Sequence, residues 1–537
     1  MPLPYSKILD HHGLVAGFCH DIGFADIIDK ALGGAAPERK ISCGQLVTAM
    51  VLNGLGFTGR TLHMYSEYFR NKPVDRLIGE GVLPEHINDD ALGRCLDSLY
   101  DYGVSKLYQQ LGEAVVEKLG LHTQALHLDS TSFHYDGQAT AVVEDDEPKH
   151  IRIAKGYSRD HRPELNQVIL NLICENQSGI PVYMKPASGN SNDMEGFKQI
   201  VKAHIGSLKA AQESRYLVAD AALYVKETIE DLDTQGQLFI TRVPQTLKEA
   251  KALVKKAPTL TFTPISQGYE GVCYNSEYGG VKQKWLLIRS EQAYKREQHN
   301  LNKRLLKAGE LARKSFKKLC QQRFACEKDA QSAIATWQGK QTVCDINAHV
   351  IEVAIYSGAG RPKKGALPTS IEYQITGELF TPLASKDTAL KQLGLFIIAT
   401  NDTSDELDMA GLLSSYKAQQ NVEKGFRFLK SPDFLTSAIY LKKPERIEAL
   451  LMVMTCCLMV YAGLEHQIRA SLVKNDCYFP NMKYKPEQRP TARWVFQCFE
   501  GIAIIYLPDK QVFVANVQTR NQTIIDCLGE KYQKIYS

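Results

Sequence analysis

At 537 residues the chain exceeds the size at which one hydrophobic core stops growing, so about two to four domains are expected rather than one. Its 44% hydrophobic and 23% charged residues are ordinary for a globular protein, and no tract is low in complexity, which excludes a disordered or fibrous class. Lys and Arg outnumber Asp and Glu by only 64 to 60, so the net charge names no partner.

Residues 1–120 read as all-α. Apolar residues recur at helical spacing over 41–55, where Ser42 and Gln45 stand at capping-box spacing, and again after Asn88-Asp89-Asp90 through Leu96, Leu107, Val115 and Leu119. The start of the chain has no basic stretch followed by an apolar run, so no secretory signal is expected. Beyond residue 122 the pattern changes to short β runs at 125–135, 166–175 and 180–188, the last two joined by a turn at Ser178-Gly179. A helix over 194–205, a strand over 215–220, a helix over 225–233 and a strand over 238–243 follow. The order βββαβαβ predicts a meander extended through helical crossovers, one mixed sheet covered by helices, as in RNase H-like folds.

Residues 245–392 leave that pattern and read as an inserted domain, β-rich around Trp285 and then helical and charged over 290–338. Between residues 295 and 328 there are eleven Lys or Arg against three Glu, and Lys483, Lys485, Arg489 and Arg493 form a second basic stretch. Such patches suit a polyanion, because each neutralised phosphate releases counterions. A strand at 393–401 and an amphipathic helix over 407–429 return to core character. The apolar run at 449–464 is ~4 residues short of a typical membrane span, and we read it as a buried helix with no membrane role. The expected organisation is a helical DNA-binding domain (1–120), the first part of an RNase H-like catalytic domain (121–244), an insertion (245–392), the rest of the catalytic domain (393–470) and a C-terminal segment (471–537). The thirteen scattered cysteines include no Cys-x-x-Cys pair, which suits a reduced cytosolic protein without a disulfide framework or zinc knuckle.

Asp129, in the string HLDST, lies in the first β run, and Asp220 ends the fourth. In a meander followed by a crossover those two strands are neighbours, so both carboxylates can meet at one sheet edge, where hard oxygen ligands suit Mg2+. An aspartate at a strand end is more often the cap of the turn that follows, so the pair needs support from elsewhere. The helix over 407–429 supplies it: Tyr416, Glu423 and Lys430 are spaced by seven and share one face, with Arg427 one turn after Glu423. His127, His134 and His161 surround the first acidic motif, but no paired His or Cys stands at zinc-ligand spacing.

With these motifs the chain resembles the DDE transposases of bacterial insertion sequences, in the group marked by a Tyr-x2-Arg-x3-Glu-x6-Lys signature. Tyr416, Glu423 and Lys430 fall on that signature, while Gln419 stands in the place of its Arg. HLDST, LVADAAL, GYSRDHRPELNQV and GIPVYMKPASGNSND carry the rest of the likeness, with Ala222 where relatives often have Gly. The resemblance implies an RNase H-like core in which Asp129, Asp220 and Glu423 are catalytic and hold two Mg2+ ions, Mn2+ being able to substitute. It implies that Tyr416, Gln419, Arg427 and Lys430 contact DNA, with Lys417, Lys424 or Arg427 taking over from the missing Arg. The implied partners are double-stranded DNA, as terminal inverted repeats and as target, and a second copy of the chain on that DNA, in the bacterial cytoplasm at the nucleoid. Arg361 and Lys363, in a Pro-containing loop, suit a minor-groove arm, and Trp285 occupies the region where related enzymes stack a flipped base, core packing being the commoner use of such a ring. An RNase H-like nuclease without strand transfer shares the acidic site. A catalytically inactive DNA-binding derivative would have lost an acidic ligand, and a two-carboxylate sugar hydrolase would leave the basic tracts unexplained.

Overall fold

The N-terminal helices form where the sequence supplies both an apolar stripe and a cap. In the computed structural model they are α1 (His12–Asp21), α2 (Phe24–Ala31), α3 (Cys43–Gly54), α4 (Asp89–Tyr102) and α5 (Val104–Leu119). The capping box is present: Ser42 Oγ accepts from Gln45 N at 3.1 Å, and Gln45 Oε1 accepts from Ser42 N at 3.0 Å. Asn88 caps α4 by accepting from Ala91 N at 2.9 Å, ahead of two aspartates that favour the positive end of the helix. The residues described are 3–34, 39–57, 64–121, 124–135, 150–158, 160, 162–212, 214–341, 343–357, 367–382, 387, 389–404, 406–431 and 441–537. They divide into two units, one of Met1–Arg242, Glu277–Gln283 and Thr400–Ser537, the other of Val243–Ser276 and Lys284–Ala399.

In the first unit the expected order is found as β1 (Ala125–Tyr135), β2 (Asn166–Glu175), β3 (Pro181–Ser188), α6 (Asp193–Gln212), β4 (Tyr216–Ala219), α7 (Lys226–Thr234) and β5 (Leu238–Arg242). These strands lie side by side as β3-β2-β1-β4-β5. The first three pair antiparallel, while β4 joins β1 and β5 joins β4 in parallel, each after a helix. This is the mixed sheet of an RNase H-like α/β core. β1 is buried along both faces, and its half-buried positions are Asp129 and His134.

The second unit carries β6 (Thr263–Ser266), most of β7 (Tyr269–Tyr278) and of β8 (Val281–Ser290), α8 (Glu291–Cys320), α9 (Glu327–Gln338), β9 (Asp345–Ile355), β10 (Ser370–Phe380) and all but the last residue of β11 (Leu395–Thr400). β9 and β10 form a long antiparallel ribbon, from Asp345 opposite Phe380 to Ile355 opposite Ser370. α8 and α9 pack on it around Phe316, Leu319, Trp337 and Ile375. The Trp337 indole N–H donates to Ser315 Oγ at 3.0 Å, which satisfies its polar edge inside that core.

Returning to the first unit, the stretch expected as one helix over 407–429 is two, α10 (Met409–Lys417) and α11 (Gln420–Leu429). The apolar run extends into α12 (Pro444–Lys474), longer than the 449–464 read from its apolar residues. α12 is long and apolar enough to cross a membrane by composition, but 78% of its apolar window is buried inside the protein. It packs against α1, α3, α4, α5 and β3, which is why it is apolar all round. Two glycines permit the close approaches this needs. A Cβ on Gly463 would meet the Phe18 ring at 2.4 Å, and one on Gly112 would meet the Val182 carbonyl oxygen of β3 at 2.4 Å.

Candidate active site

Parallel pairing of β1 with β4 sets Leu128 opposite Ala219, and the next residue of each strand is an aspartate. Asp129 and Asp220 are therefore brought to the same end of two adjacent strands. Each is also anchored to the backbone beside it. Asp129 Oδ1 accepts from Ser130 N at 2.8 Å, and Asp220 Oδ1 accepts from Ala222 N at 2.9 Å as the cap of the turn Ala221–Leu223. The cap reading of Asp220 is thus true, and it does not compete with a second use: the cap fixes the carboxyl group in place.

Glu423 comes from the first turn of α11. It lines, with Asp129 and Asp220, one cavity of about 500 Å3 that also takes in Tyr416, Arg427 and Lys430. The residues spaced by seven face one space although the helix beneath them is interrupted. The Tyr416 phenol senses the convergence: burial raises its pKa, and Asp220, Glu423 and Asp129 push the same way while Arg242 at the end of β5 opposes them.

Two further charged residues, one lining the cavity and one acting on Tyr416 from the end of β5, are not marked by the sequence. Asp160 lines it and accepts from Lys430 Nζ at 2.8 Å, so Lys430 is held by a carboxylate rather than by solvent. His134 Nε2 lies 3.2 Å from the same Asp160 oxygen, at ion-pair distance without hydrogen-bond geometry. Arg242 is the other. Neither sits in a periodic stretch that marks it: Asp160 belongs to an irregular segment, and Arg242 reads as the polar end of a strand.

Gln419, expected as a DNA contact, lines the same cavity and is also bound to β1. It is 8% exposed, Nε2 donates to Leu128 O at 2.9 Å, and Oε1 lies 3.1 Å from His127 Nδ1. The amide is engaged with β1 at both ends, its nitrogen with the Leu128 carbonyl and its oxygen with the His127 ring. Burial pushes the His127 imidazole down to about 4, so the ring is neutral. Because Oε1 can only accept, the ring proton sits on Nδ1. His127 Nε2 is then a bare acceptor, buried and without a hydrogen-bond partner among the described residues.

The donor set fits a hard divalent cation by its chemistry, four carboxylates counting the lysine-bound Asp160, with hydroxyl and amide neighbours and no sulfur ligand. Among the described residues, however, no three His, Cys, Asp or Glu side chains are gathered closely enough to form a ready-made metal site. The carboxylates line the cavity without meeting at one point.

Comparison with known families decides the wider question, since the family described as Transposase DDE domain matches residues 121–460. The chain belongs to that family. It is a transposase, with the mixed α/β core and the DNA-directed activity that the family name denotes. Residues 5–113 match a domain of unknown function, DUF4277. No curated protein matches the chain. Among solved structures, one chain of the cryo-EM structure of piggyBac transposase synaptic complex with hairpin DNA is similar at a TM-score of 0.38 and 9% identity, covering 99% of this chain and 84% of that one.

The remaining expected DNA contacts of the transposase separate clearly. Arg427 is exposed on α11, one turn beyond Glu423. Trp285, in β8, is 1% exposed, so its ring has no face to offer an extruded base and serves packing instead of the stacking role. Arg361 and Lys363 lie outside the described residues.

Proposed function

We propose that the transposase cuts double-stranded DNA at the terminal inverted repeats of an insertion sequence and joins the freed 3′ ends to target DNA, with Asp129, Asp220 and Glu423 as its metal ligands. The observation that carries this reading is the convergence of the three carboxylates on one cavity, two from adjacent strand ends and one from α11. Asp129, Asp220 and Glu423 would hold the divalent ions between them. Mg2+ is the working ion, with Mn2+ able to stand in. What the ions supply when bound is a lowered proton affinity at the attacking oxygen and relief of charge on the leaving one.

The rest falls to the chain's own side chains. Tyr416, kept protonated by its raised pKa, donates to a phosphate oxygen. Lys430 exchanges Asp160 for the DNA backbone, and Arg427 adds a second charged donor along the same helix. In cleavage, a water oxygen bonds to phosphorus as the bond to the 3′ oxygen breaks, leaving a 3′-hydroxyl and a 5′-phosphate. In joining, that 3′-hydroxyl oxygen bonds to a target phosphorus and the target's own 3′ oxygen leaves. Residues 1–120 would read the repeat, and two copies of the chain would hold the two ends. The exposed basic face of α8 adds affinity that does not depend on sequence.

The test is incubation of the purified protein with Mg2+, a plasmid target and labelled duplexes ending in the inverted repeats that flank the coding sequence. Cuts bearing 3′-hydroxyls and joined products are expected. D129A, D220A and E423A should each lose both products while still binding the duplex. Mg2+-dependent cutting by any one of them would remove that residue from the ligand set. Cutting without any joining of pre-cut ends would mark a nuclease instead.

A further inference from the structure

The helical ladder lapses between α10 and α11, where Gln419 N bonds to Tyr416 O at 3.2 Å, Asn421 N to Ala418 O at 2.9 Å and Val422 N to Gln419 O at 3.1 Å. These are i to i−3 bonds, a local tightening of the kind that often marks a functional site within a helix. Ala418 and Gln419 keep right-handed helical dihedrals, so the chain turns on without a loop. The side chain at this joint is the one that reaches β1. Its amide contacts the carbonyl of Leu128, the residue before Asp129, and the ring of His127, two residues before it. Along the helix, Gln419 is one turn before Glu423 and three residues after Tyr416. It therefore ties the helix-borne carboxylate to the strand that bears the first aspartate.

The chemistry of the pair is specific to an amide. A glutamine has one donor and one acceptor group, which the Leu128 carbonyl and the His127 Nδ1–H use together. An arginine at the same place has donors only, so it could not accept from Nδ1–H, and it would bring a charge into a buried position. The residue that departs from the family signature thus has a use of its own in this chain.

We propose that Gln419 and His127 form a positioning pair that sets the Glu423 helix on β1 and so fixes how far Asp129 and Glu423 must move to share divalent ions. The inference rests on the reading of those carboxylates as metal ligands. Outer partners that orient metal ligands typically contribute about 10–100-fold in metal affinity. The same range is expected here.

The experiment measures Mn2+ binding to the full-length protein, with a short DNA duplex present, from the loss of the free-ion electron paramagnetic resonance signal. Wild type, Q419M, H127F, the double variant and D129N are compared at a temperature well below each melting point. Q419M keeps the length of the side chain and removes both bonds, while H127F keeps a ring and removes the Nδ1 donor. Expected results are Mn2+ binding weakened about tenfold or more in each single variant, and a double variant no weaker than the worse single one. Should Q419M fail to fold, H127F carries the same test. Mn2+ affinity equal to wild type in a folded variant, with only a lower melting temperature, would overturn the proposal by reducing the pair to packing. If D129N binds Mn2+ as wild type does, the metal-ligand reading itself fails, and that outcome is distinct because it does not involve Gln419.

Discussion

Glu448 shows how strongly position outweighs residue type in this chain. It sits on α12, where burial, the largest cause, and the neighbouring Glu445 push its carboxyl from the ordinary 4.5 up to about 7, although Ile151 N donates to Oε1 at 2.8 Å. Between those two values the folded chain holds a proton that the unfolded chain has lost, so folding stability falls as pH rises through the window. E448Q keeps an acceptor for Ile151 and removes the titration. Its melting temperature should exceed that of wild type at about pH 8, with the gap closing toward the ordinary carboxylate range. Thermal melts of both proteins across that range check this, and a variant that melts lower at every pH would refute it. Asp220 makes a related point. Its cap of a turn and its place in the cavity are one geometry seen from two sides, so the two uses are not rivals. Asp129 and Asp220 were legible because strand order and a parallel crossover suffice to bring them together. Asp160 was not, because an irregular segment carries no period from which its direction can be read.

α8 is where the element scale yields a measurable consequence. Its half-buried and buried stripe runs through Leu301, Leu305 and Ala308 to Ala312, Phe316 and Leu319, while all nine Lys and Arg between Lys295 and Lys318 are exposed. Among the described residues only Lys295 of the nine is in an ion pair, with Glu291 at 2.6 Å. At ~1.5 Å per residue the basic face extends roughly 35 Å, close to one turn of B-form DNA. Each phosphate contact contributes about 0.9 to the slope of log K against log salt. Charge reversal at Lys303, Lys307 and Lys314 should flatten that slope by roughly two to three units in anisotropy titrations with an arbitrary duplex. An unchanged slope would mean that α8 does not touch DNA. The helix itself was legible from its charged period, as were the core strands from their apolar runs. The break between α10 and α11 was not. Apolar spacing runs straight through Ala418 and Gln419, and the bonds that engage Gln419 go to Leu128 and His127, almost three hundred positions away in the sequence. No local pattern reports a partner at that separation.

At the scale of the whole first unit, the N-terminal helices and the catalytic sheet share one core, and α12 is the element common to both. Its contacts with the N-terminal segment are specific. Arg446 makes a bidentate pair with Asp97 of α4 at 2.7 Å for both bonds, Gly463 admits the Phe18 ring of α1, and Cys457 packs against α3 with Sγ 4.0 Å from Val51 O. From α5, the Tyr108 hydroxyl reaches Pro181 O of β3 at 2.9 Å and Thr455 O of α12 at 3.4 Å, so a single buried phenol ties the segment to sheet and helix alike. Removing residues 1–120 would uncover a face of α12 that includes some of its fully buried apolar side chains. Each such side chain contributes about 1.5–3 kcal/mol when buried. A handful therefore matches the roughly 5–15 kcal/mol by which whole domains are stable. The fragment of residues 121–537 should accordingly aggregate or lose its near-ultraviolet circular dichroism, and the first unit of the intact protein should melt in one cooperative step rather than shedding its helices first. A soluble 121–537 fragment with a native near-ultraviolet spectrum would show instead that the catalytic sheet holds α12 without help, and that the N-terminal helices are an attachment to the core.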